Sequence, residues 1–550
     1  MILSKIYSDG MIIQRNKENI VEGETKKNTK VKLDFANKTY ETVADENGKF
    51  SISLAAMEAG GPYVMTIEAD ETIEIKDIYV GDVFLISGQS NMELMVFQTL
   101  DVNEEYIKGI NYPLIRTYQL PREFRFDGPD EILDSGEWVS VNEESVLFFS
   151  ALGFFFAEMK YKKDNVPVGL LNASLGGTHL EAFMSEKQVL ESGDKLLAMY
   201  KKEGREAKCT CGIHDTCKVC YREKLALDKD DEYVKSRVIN DPIKIAKWDE
   251  NLNADDLGLK NKWYEKEWSS KFKENTFSIN VPGSWIDNDP LDGKWGSVWL
   301  QKVVDVPKGW IDGKVQLRLG TIVDGDITYV NGVEVGTTGF FYPPRRYWLE
   351  DGVLKEGKNV ITVRVMVTNN VGEFKTDMPY CLKCKDKEIS LEGIWCARVA
   401  CIKEERQGDM MFFNWQPTSL YNKMIYPIRN IKFKAILFYQ GESNSRYPED
   451  YEYLMKDMIK EWRELFGETH PFIFAELPFF QGESWEGNNY KDGEDGWEPM
   501  RISQRKVARD VEKTKLINIF DLGQYNEIHP QDKRKVAERF FKGYEEIMEE

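Results

Sequence analysis

The stretch Val83–Met92 reads Val-Phe-Leu-Ile-Ser-Gly-Gln-Ser-Asn-Met and decides the fold of this chain. Its first four residues are all apolar, which is typical of a strand buried on both faces of a parallel sheet. Ser90 then stands where a helix is predicted to begin, so its backbone N–H could stabilise an oxyanion at a helix N-terminus. A lone serine after a strand is more often a simple helix N-cap, so a catalytic role needs support from the rest of the chain.

Similar apolar runs recur along the chain, and segments with helical periodicity accompany them. The runs are Val168–Leu171, Ala435–Tyr439, Phe472–Phe474 and Leu516–Phe520. Phe149–Met159 and Pro530–Met548 carry the apolar spacing of amphipathic helices. Strands that alternate with helices predict an α/β domain with a mostly parallel sheet.

Two regions of the chain have all-β character instead. The first is predicted to be a small β-sandwich, because short strand-like segments alternate there with turn residues. In the second, the dipeptide Asn331-Gly332 is a strong signal for a β-hairpin. We therefore predict an N-terminal, Ig-like sandwich at 1–78, an α/β domain split into 79–265 and 391–550, and an inserted sandwich at 266–390.

The bulk properties exclude some classes of partner. The 550 residues are enough for two or three cores. A formal net charge of -20 argues against nucleic acid as a partner, and no apolar run is long enough to cross a bilayer. The N-terminus lacks the pattern of a signal peptide, so we expect a cytoplasmic protein whose eight cysteines are reduced thiols or metal ligands.

Three later segments place reactive residues just after predicted strands. Gly176 and Gly177 could let a backbone N–H approach a ligand, and the Gln440 amide could donate to a developing oxyanion. Among four histidines, His529 follows a buried strand and precedes a helix, as a general base for Ser90 should. Each feature alone could be an ordinary turn or surface residue, whereas their order along the chain favours a hydrolase.

Taken in this order, the segments resemble the SGNH (GDSL-like) hydrolases and, within them, the sialate O-acetylesterase family. The matching blocks are Gly88–Met92, Gly176–Thr178, Tyr439–Asn444 and Asp521–Pro530, and Ser8–Arg15 resembles the start of such enzymes. The region around Asp324–Asp326 and Asn331-Gly332 is similar to the sugar-binding jelly roll of glycoside hydrolase family 2. The resemblance implies a flavodoxin-like, three-layer SGNH domain that carries an inserted jelly roll.

The resemblance also implies a carbohydrate O-acetylesterase without a catalytic cofactor. Ser90 would attack the acetyl carbonyl while His529 takes its proton, and an acetyl-serine intermediate would follow. The oxyanion would be held by the backbone N–H groups of Ser90 and of Gly176 or Gly177, together with the Gln440 side chain.

The acid behind the histidine departs from the SGNH pattern. These enzymes commonly carry Asp three residues before the His, but this chain has Asn526 there. We favour Glu527, with Asp521 as a second candidate. A Ser–His dyad oriented by a backbone carbonyl is the third option.

A cysteine-rich loop at 205–222 has the ligand spacing of a structural zinc site. The candidate ligands are Cys209, Cys211, His214, Cys217 and Cys220. The alternative is a set of free thiols in an exposed loop. Cys381 and Cys384 could join this site or form another.

The substrate stays open among several acetylated sugars. Sialic acid is one option, and oligosaccharides derived from plant xylan, xyloglucan or mannan are the other. A lipase or thioesterase would need an apolar channel, for which the sequence shows only scattered hydrophobic residues. A non-catalytic carbohydrate-binding protein is the alternative from another class, and the presence of both Ser90 and His529 argues against it. The oligomeric state is not readable from the sequence.

Overall fold

The computed structural model describes residues 1–203, 221–268, 276–341, 343–368, 371–376, 378–404, 411–480, 497–524 and 527–549. The chain forms two compact units. The first unit contains residues 1–231, 412–524 and 529–550, and the second contains residues 232–411 and 525–528. Within the described ranges, no helix combines the length and the apolar character needed to cross a membrane.

The first unit begins with short strands that form small sheets. Their bounds are β1 (Ile2–Leu3), β2 (Ile12–Gln14), β3 (Asn19–Glu24), β4 (Lys30–Phe35), β5 (Lys38–Val43), β6 (Lys49–Leu54) and β7 (Gly60–Glu68). β3 pairs with β1 and β6, and β4 pairs with β5 and β7, all antiparallel. Exposed and buried residues alternate strictly along β6, as expected for a strand with one face on a core.

A central sheet follows, with strand order β10-β9-β11-β8-β25-β26-β27. The bounds are β8 (Thr72–Gly88), β9 (Asn111–Gln119), β10 (Trp138–Asn142), β11 (Val168–Ser174), β25 (Ala435–Tyr439), β26 (Phe472–Ala475) and β27 (Thr514–Ile517). All neighbouring pairs in this order are parallel except β10 with β9. The predicted α/β class is confirmed, and the fourth predicted run ends at Ile517, earlier than the sequence suggested.

Helices cover both faces of the central sheet. Those of the first unit are α1 (Ser90–Glu93), α2 (Leu100–Ile107), α3 (Ala151–Asp164), α4 (Glu186–Glu203), α5 (Tyr221–Asp228), α8 (Pro448–Phe466), α9 (Glu498–Asp510) and α10 (Lys533–Glu549). On β8, Phe84 packs against aromatic rings of α3 and α10. Phe438 packs against Trp462 of α8 and shares its register with Ser87, which points to the face opposite Phe84.

Short helical turns complete the described helices. The 3-10 turns are Val96–Thr99, Ser145–Phe148, Leu180–Phe183, Trp263–Glu265, Phe413–Trp415, Tyr426–Ile428, Glu442–Asn444 and Phe520–Leu522, and one π turn spans Tyr421–Ile425.

The long strand β8 explains why residues 1–78 do not separate from the α/β part. Its first half mixes exposed and buried residues and pairs with β7, whereas its last nine residues are all buried. Within this buried part, β8 pairs with β11 and β25. The predicted limit at 78/79 therefore falls inside one continuous strand. Both sheets share this strand, so their cores belong to one compact unit.

The second unit consists of helices α6 (Asp231–Asp255) and α7 (Leu257–Lys260) and of antiparallel sheets. The strands are β12 (Phe277–Val281), β13 (Gly283–Ser284), β14 (Trp295–Val306), β15 (Val315–Leu319), β16 (Ile322–Val323), β17 (Gly325–Val330), β18 (Val333–Thr338), β19 (Arg346–Leu349), β20 (Gly357–Val367), β21 (Glu373–Phe374), β22 (Tyr380–Cys384), β23 (Lys387–Ser390) and β24 (Gly393–Lys403). The sheet orders are β12-β24-β14-β20-β17-β18, β19-β15-β22-β23 and β13-β21-β16. The predicted hairpin joins β17 and β18, and both Asn331 and Gly332 have the positive φ of a type I′ turn.

The limits of the second unit lie outside the predicted 266–390. On one side, Asp256 precedes that range yet accepts hydrogen bonds from Trp299 and Arg364 of the sheet. On the other side, β24 follows the range yet lies between β12 and β14. The segments on both sides therefore share the core of the second unit, and the compact units divide at 231/232 and 411/412.

Candidate active site

The ends of three parallel strands meet in one row at the edge of the central sheet. Gly88 at the end of β8 is in register with Ser174 of β11 and with Tyr439 of β25. The residues that follow these strands are therefore brought together, which is where open α/β sheets place their ligands. Gly88 itself has φ +129°, and a Cβ there would lie 2.1 Å from the Tyr439 carbonyl oxygen, so this close approach requires glycine.

Ser90 is the first residue of α1 and is half-buried between two fully buried neighbours. The Gln89 side-chain oxygen accepts hydrogen bonds from two backbone N–H groups of the turn Gly441–Ser443, at 3.4 and 3.1 Å. The Asn91 side-chain amide donates to Glu442 Oε1 at 2.6 Å. Both neighbours of Ser90 are thus tied to the turn after β25, which fixes the serine at the sheet edge.

The predicted glycines approach other groups closely. A Cβ on Gly176 would lie 3.5 Å from Ser90 Cβ, so this glycine is adjacent to the serine. Gly177 has φ +73° and lies against the Trp415 ring, where a Cβ would meet Cζ2 at 2.2 Å. Trp415 Nε1 also donates a hydrogen bond to the Gly176 carbonyl oxygen at 2.7 Å. The strand end after β11 is therefore enclosed between Ser90 and Trp415.

Two of the predicted oxyanion donors are engaged with protein acceptors in this conformation. The Gly176 N–H donates to Glu93 Oε2 at 2.6 Å, and the other Glu93 oxygen is 3.0 Å from the Arg122 guanidinium. The Gln440 amide nitrogen donates to Thr178 O at 3.2 Å and to the Asn444 side chain at 2.7 Å. An acetyl oxygen would have to replace these acceptors, so the roles predicted for Gly176 and Gln440 stay predictions.

His529 lies between β27 and α10, and it is held in the neutral form. Burial, helped by the positive charge of Lys533, lowers the pKa of His529 to about 3. Lys533 begins α10 and donates a hydrogen bond to Asn91 Oδ1 at 2.6 Å. Since Asn91 follows Ser90 directly, the structure brings the start of α10 to the serine turn. A neutral imidazole at this position can accept a proton.

The two candidate acids have different surroundings. Asp521 is exposed and accepts two hydrogen bonds from the Arg539 guanidinium, at 2.6 and 2.7 Å, which lowers the pKa of Asp521. Glu527 is buried, groups with the second unit and has an oxygen 3.7 Å from the Arg346 guanidinium. Of these two carboxylates, only Glu527 is shielded from solvent. Asn526 lies outside the described residues.

Several residues around Ser90 were not predicted from the sequence. Lys533 lies four positions after His529 in a charged segment, which gave no reason to expect that its side chain is buried. Glu93 could have been noticed, because it is three residues after Ser90 and therefore on the same face of a helix. Trp415 lies in an irregular segment without any periodicity, so the sequence carried no signal for its position.

The predicted zinc ligands Cys209, Cys211, His214, Cys217 and Cys220 lie outside the described residues, so that site stays a prediction. Cys381 and Cys384 are buried free thiols in β22. Residues three apart on a strand point to opposite faces, so this pair does not converge on one metal ion. Within the described ranges, no group of three or more His, Cys, Asp or Glu residues could hold a metal.

The comparison with protein families agrees with this geometry. Residues 396–542 match the family model of the carbohydrate esterases described as sialic acid-specific acetylesterases. This part of the chain is similar to the sialic acid-specific acetylesterases. The matched region contains Tyr439–Asn444 and Asp521–Pro530, whereas Ser90 and Gly176 precede it.

Individual curated proteins match limited parts of this chain. The human sialate O-acetylesterase is 28% identical over 163 residues, which are 28% of this chain and 31% of the human protein. A β-glucuronidase from Paenibacillus borealis is 28% identical over 190 residues, which are 33% of this chain and 30% of that protein. The chain thus spans about a third of the length of the curated relatives it matches.

One solved structure resembles this chain over almost its whole length. A carbohydrate acetylesterase from Xanthomonas citri superposes with a TM-score of 0.55 and 19% identity, covering 99% of this chain and 74% of that protein. At this identity the similarity concerns the fold.

Proposed function

We propose that this chain is a serine esterase that removes acetyl groups from carbohydrates. The observation that carries the proposal is Ser90, fixed at the sheet edge by both of its neighbours and lying beside the helix that follows the neutral His529. The match of residues 396–542 to carbohydrate esterases supports the acetyl-ester chemistry. The parallel sheet with helices on both faces supports an SGNH-type domain, and the antiparallel sheets of the second unit support a jelly-roll insertion.

The reaction follows from these groups in two steps. The Ser90 oxygen attacks the acetyl carbonyl while His529 takes its proton, and the imidazolium then gives that proton to the sugar oxygen as the ester bond breaks. Water, deprotonated by His529, attacks the acetyl-serine and releases acetate, which restores the Ser90 hydroxyl. The Ser90 N–H at the start of α1 supports the oxyanion in both steps.

An aromatic surface beside the site favours a sugar as the leaving group. Phe412 stacks on Trp415 with 4.1 Å between ring centroids, and 39% of its surface is exposed. Trp415 in turn lies against Gly177, next to the glycine that borders Ser90. The apolar face of a pyranose ring can cover such rings, whereas a simple alcohol cannot.

The change Phe412→Ala should therefore weaken binding of an acetylated oligosaccharide. We expect KM to rise about 3- to 10-fold, which corresponds to ~1 kcal/mol for an uncovered ring face, with kcat unchanged. Hydrolysis of p-nitrophenyl acetate should keep its wild-type rate. Tyr453→Ala on α8 is the matched control, since this aromatic residue is similarly exposed (45%). An equal KM change for both variants, or for both substrates, would contradict the proposed sugar contact.

Acetate release from a panel of substrates tests the proposed function. The panel consists of O-acetylated sialic acids and of acetylated xylo-, manno- and xyloglucan oligosaccharides. Release from any of them supports a carbohydrate esterase and identifies the sugar. Turnover of p-nitrophenyl acetate without release from any sugar would contradict the carbohydrate part of the proposal.

A non-catalytic carbohydrate-binding protein is the second candidate. It is favoured by one observation, namely that Glu93 accepts the hydrogen bond of Gly176 and that Thr178 and Asn444 accept those of Gln440. Equal and negligible turnover by wild type and by Ser90→Ala would support this alternative.

Burial favours Glu527 as the acid behind His529. We expect Glu527→Ala to lower kcat by about 10²- to 10⁴-fold, because loss of the triad acid leaves the imidazole without its orienting partner. Asp521→Ala should keep the wild-type rate, since Asp521 already pairs with Arg539 at the surface. Rates on p-nitrophenyl acetate decide between them. The reverse pattern would assign the role to Asp521, and full activity of both variants would favour a Ser–His dyad.

A further inference from the structure

A buried chain of polar side chains connects three segments of the site. Lys533 Nζ donates to Asn91 Oδ1 at 2.6 Å, and Asn91 Nδ2 donates to Glu442 Oε1 at 2.6 Å. Lys533 is completely buried, and its ammonium also lies 5.6 Å from the centre of the Tyr439 ring. One amide thus bridges a cation from α10 and a carboxylate from the turn after β25.

This arrangement fixes the helix that follows His529. A buried ammonium without partners would be strongly disfavoured, so the hydrogen bond from Lys533 to Asn91 stabilises the start of α10 in its place. Three residues separate Lys533 from His529, and two of them, Pro530 and Gln531, are buried, which makes this link short and confined. The position of the imidazole relative to Ser90 therefore depends on the contact between Lys533 and Asn91.

We propose that Lys533 is a positioning residue for this reaction, which anchors the His529 segment to the serine turn through its hydrogen bond to Asn91. The proposal rests on the proposed function in its catalytic part, whereas the effect on the charge of the imidazole can be measured without turnover.

Other titratable groups of the described residues lie close to Lys533. They include Glu442 and Tyr439, and Glu527 lies two residues before His529 in the chain. Burial raises the pKa of Glu442, although Asn91 and Lys533 oppose the shift, and the pKa of the Tyr439 hydroxyl lies well above its ordinary value. Burial lowers the pKa of His529, and the positive charge of Lys533 adds to this effect.

The test removes the charge of Lys533 together with its hydrogen bond to Asn91. Lys533→Gln has no charge, and its shorter side chain cannot reach Asn91 without a shift of α10, whereas Lys533→Arg keeps the charge and a donor. Lys535→Met, on the same helix with an exposed side chain, is the control. The full-length protein carries four histidines, so ¹³C-histidine labelling and the loss of one signal in His529→Ala identify the His529 resonance. Its NMR titration is then followed from pH 8 towards the acid limit of folding.

We expect the His529 signal to begin its titration at a higher pH in Lys533→Gln than in wild type, Lys533→Arg or Lys535→Met. In parallel, kcat for p-nitrophenyl acetate should fall about 10- to 100-fold in Lys533→Gln, because small displacements of a catalytic group are costly. An identical titration in Lys533→Gln and Lys533→Arg overturns the proposal, even where all variants hydrolyse the ester. Wild type without turnover would contradict the proposed function alone.

A second variant covers the case in which Lys533→Gln does not fold. Asn91→Ala removes the same hydrogen bond from the side of the serine turn. It should lower kcat and shift the acid limb of the pH profile, with the His529 signal altered. A wild-type titration of His529 in folded Asn91→Ala would overturn the anchoring role.

Discussion

Replacing Ser90 by alanine is expected to abolish ester hydrolysis, with kcat for p-nitrophenyl acetate reduced by about 10⁴-fold or more. The reduction is this large because no covalent intermediate can form without the hydroxyl, and the remaining groups give only residual catalysis. The fold should survive, since Ser90 is half-buried at the start of α1 while the contacts of Gln89 and Asn91 stay in place. The change in the free energy of unfolding should stay within about 1 kcal/mol.

Two further measurements make the Ser90 result specific. Ser51→Ala, at an exposed position of β6, should keep the wild-type rate. A phosphonofluoridate should add one covalent group to wild type, visible in the intact mass, and none to Ser90→Ala. Labelling of both proteins, or a wild-type rate in Ser90→Ala, would assign the nucleophile to another residue.

The central sheet could be predicted from the sequence because its strands are buried on both faces. Such strands require continuous apolar runs, and Ala435–Tyr439 has the same bounds in the sequence pattern and in the structure. The hairpin turn could also be predicted from local sequence, and Asn331 and Gly332 have the positive φ values that this turn requires. The limits between the two units could not be predicted from local sequence, because they depend on which core a segment joins. β24 is an ordinary strand by pattern and joins the second unit only through its pairing with β12 and β14.

In the candidate site, too, some residues could be predicted from the sequence and others could not. Ser90, Gly176 and Gln440 follow strand ends, so their convergence needs only the strand order of the sheet. The contacts of Glu93 and Lys533 are long-range in sequence, with Lys533 meeting Asn91 from the other end of the chain. Such long-range pairs produce no periodic pattern in the sequence. Gln440 shows what residue type alone cannot predict. An amide side chain is a suitable oxyanion donor, but the amide of Gln440 already donates hydrogen bonds to Thr178 and Asn444.

Replacing His529 by glutamine should lower kcat by about 10³-fold or more, since the serine then lacks a base. The matched change His470→Gln concerns a fully buried histidine, stacked on Phe433, and should reduce stability while the folded protein keeps its kcat. Rates per folded protein, from hydrolysis of p-nitrophenyl acetate and circular dichroism, distinguish the two. A wild-type rate in His529→Gln would remove the histidine from the mechanism.

The pH dependence provides a second and sharper test of His529. Its imidazole must be neutral to accept the Ser90 proton, so activity is lost as the pH falls through the pKa of His529 in the folded protein. Burial and the charge of Lys533 lower that pKa to about 3, whereas an exposed histidine titrates near 6.5. The kcat/KM profile should therefore stay flat from pH 8 to about pH 5. Because the unfolded chain binds the proton more readily, the fold itself loses stability below about pH 6.5, and circular dichroism must accompany each rate. An acid limb between pH 6 and 7 in fully folded protein would show that the base is solvated, and would contradict the lowered pKa of His529.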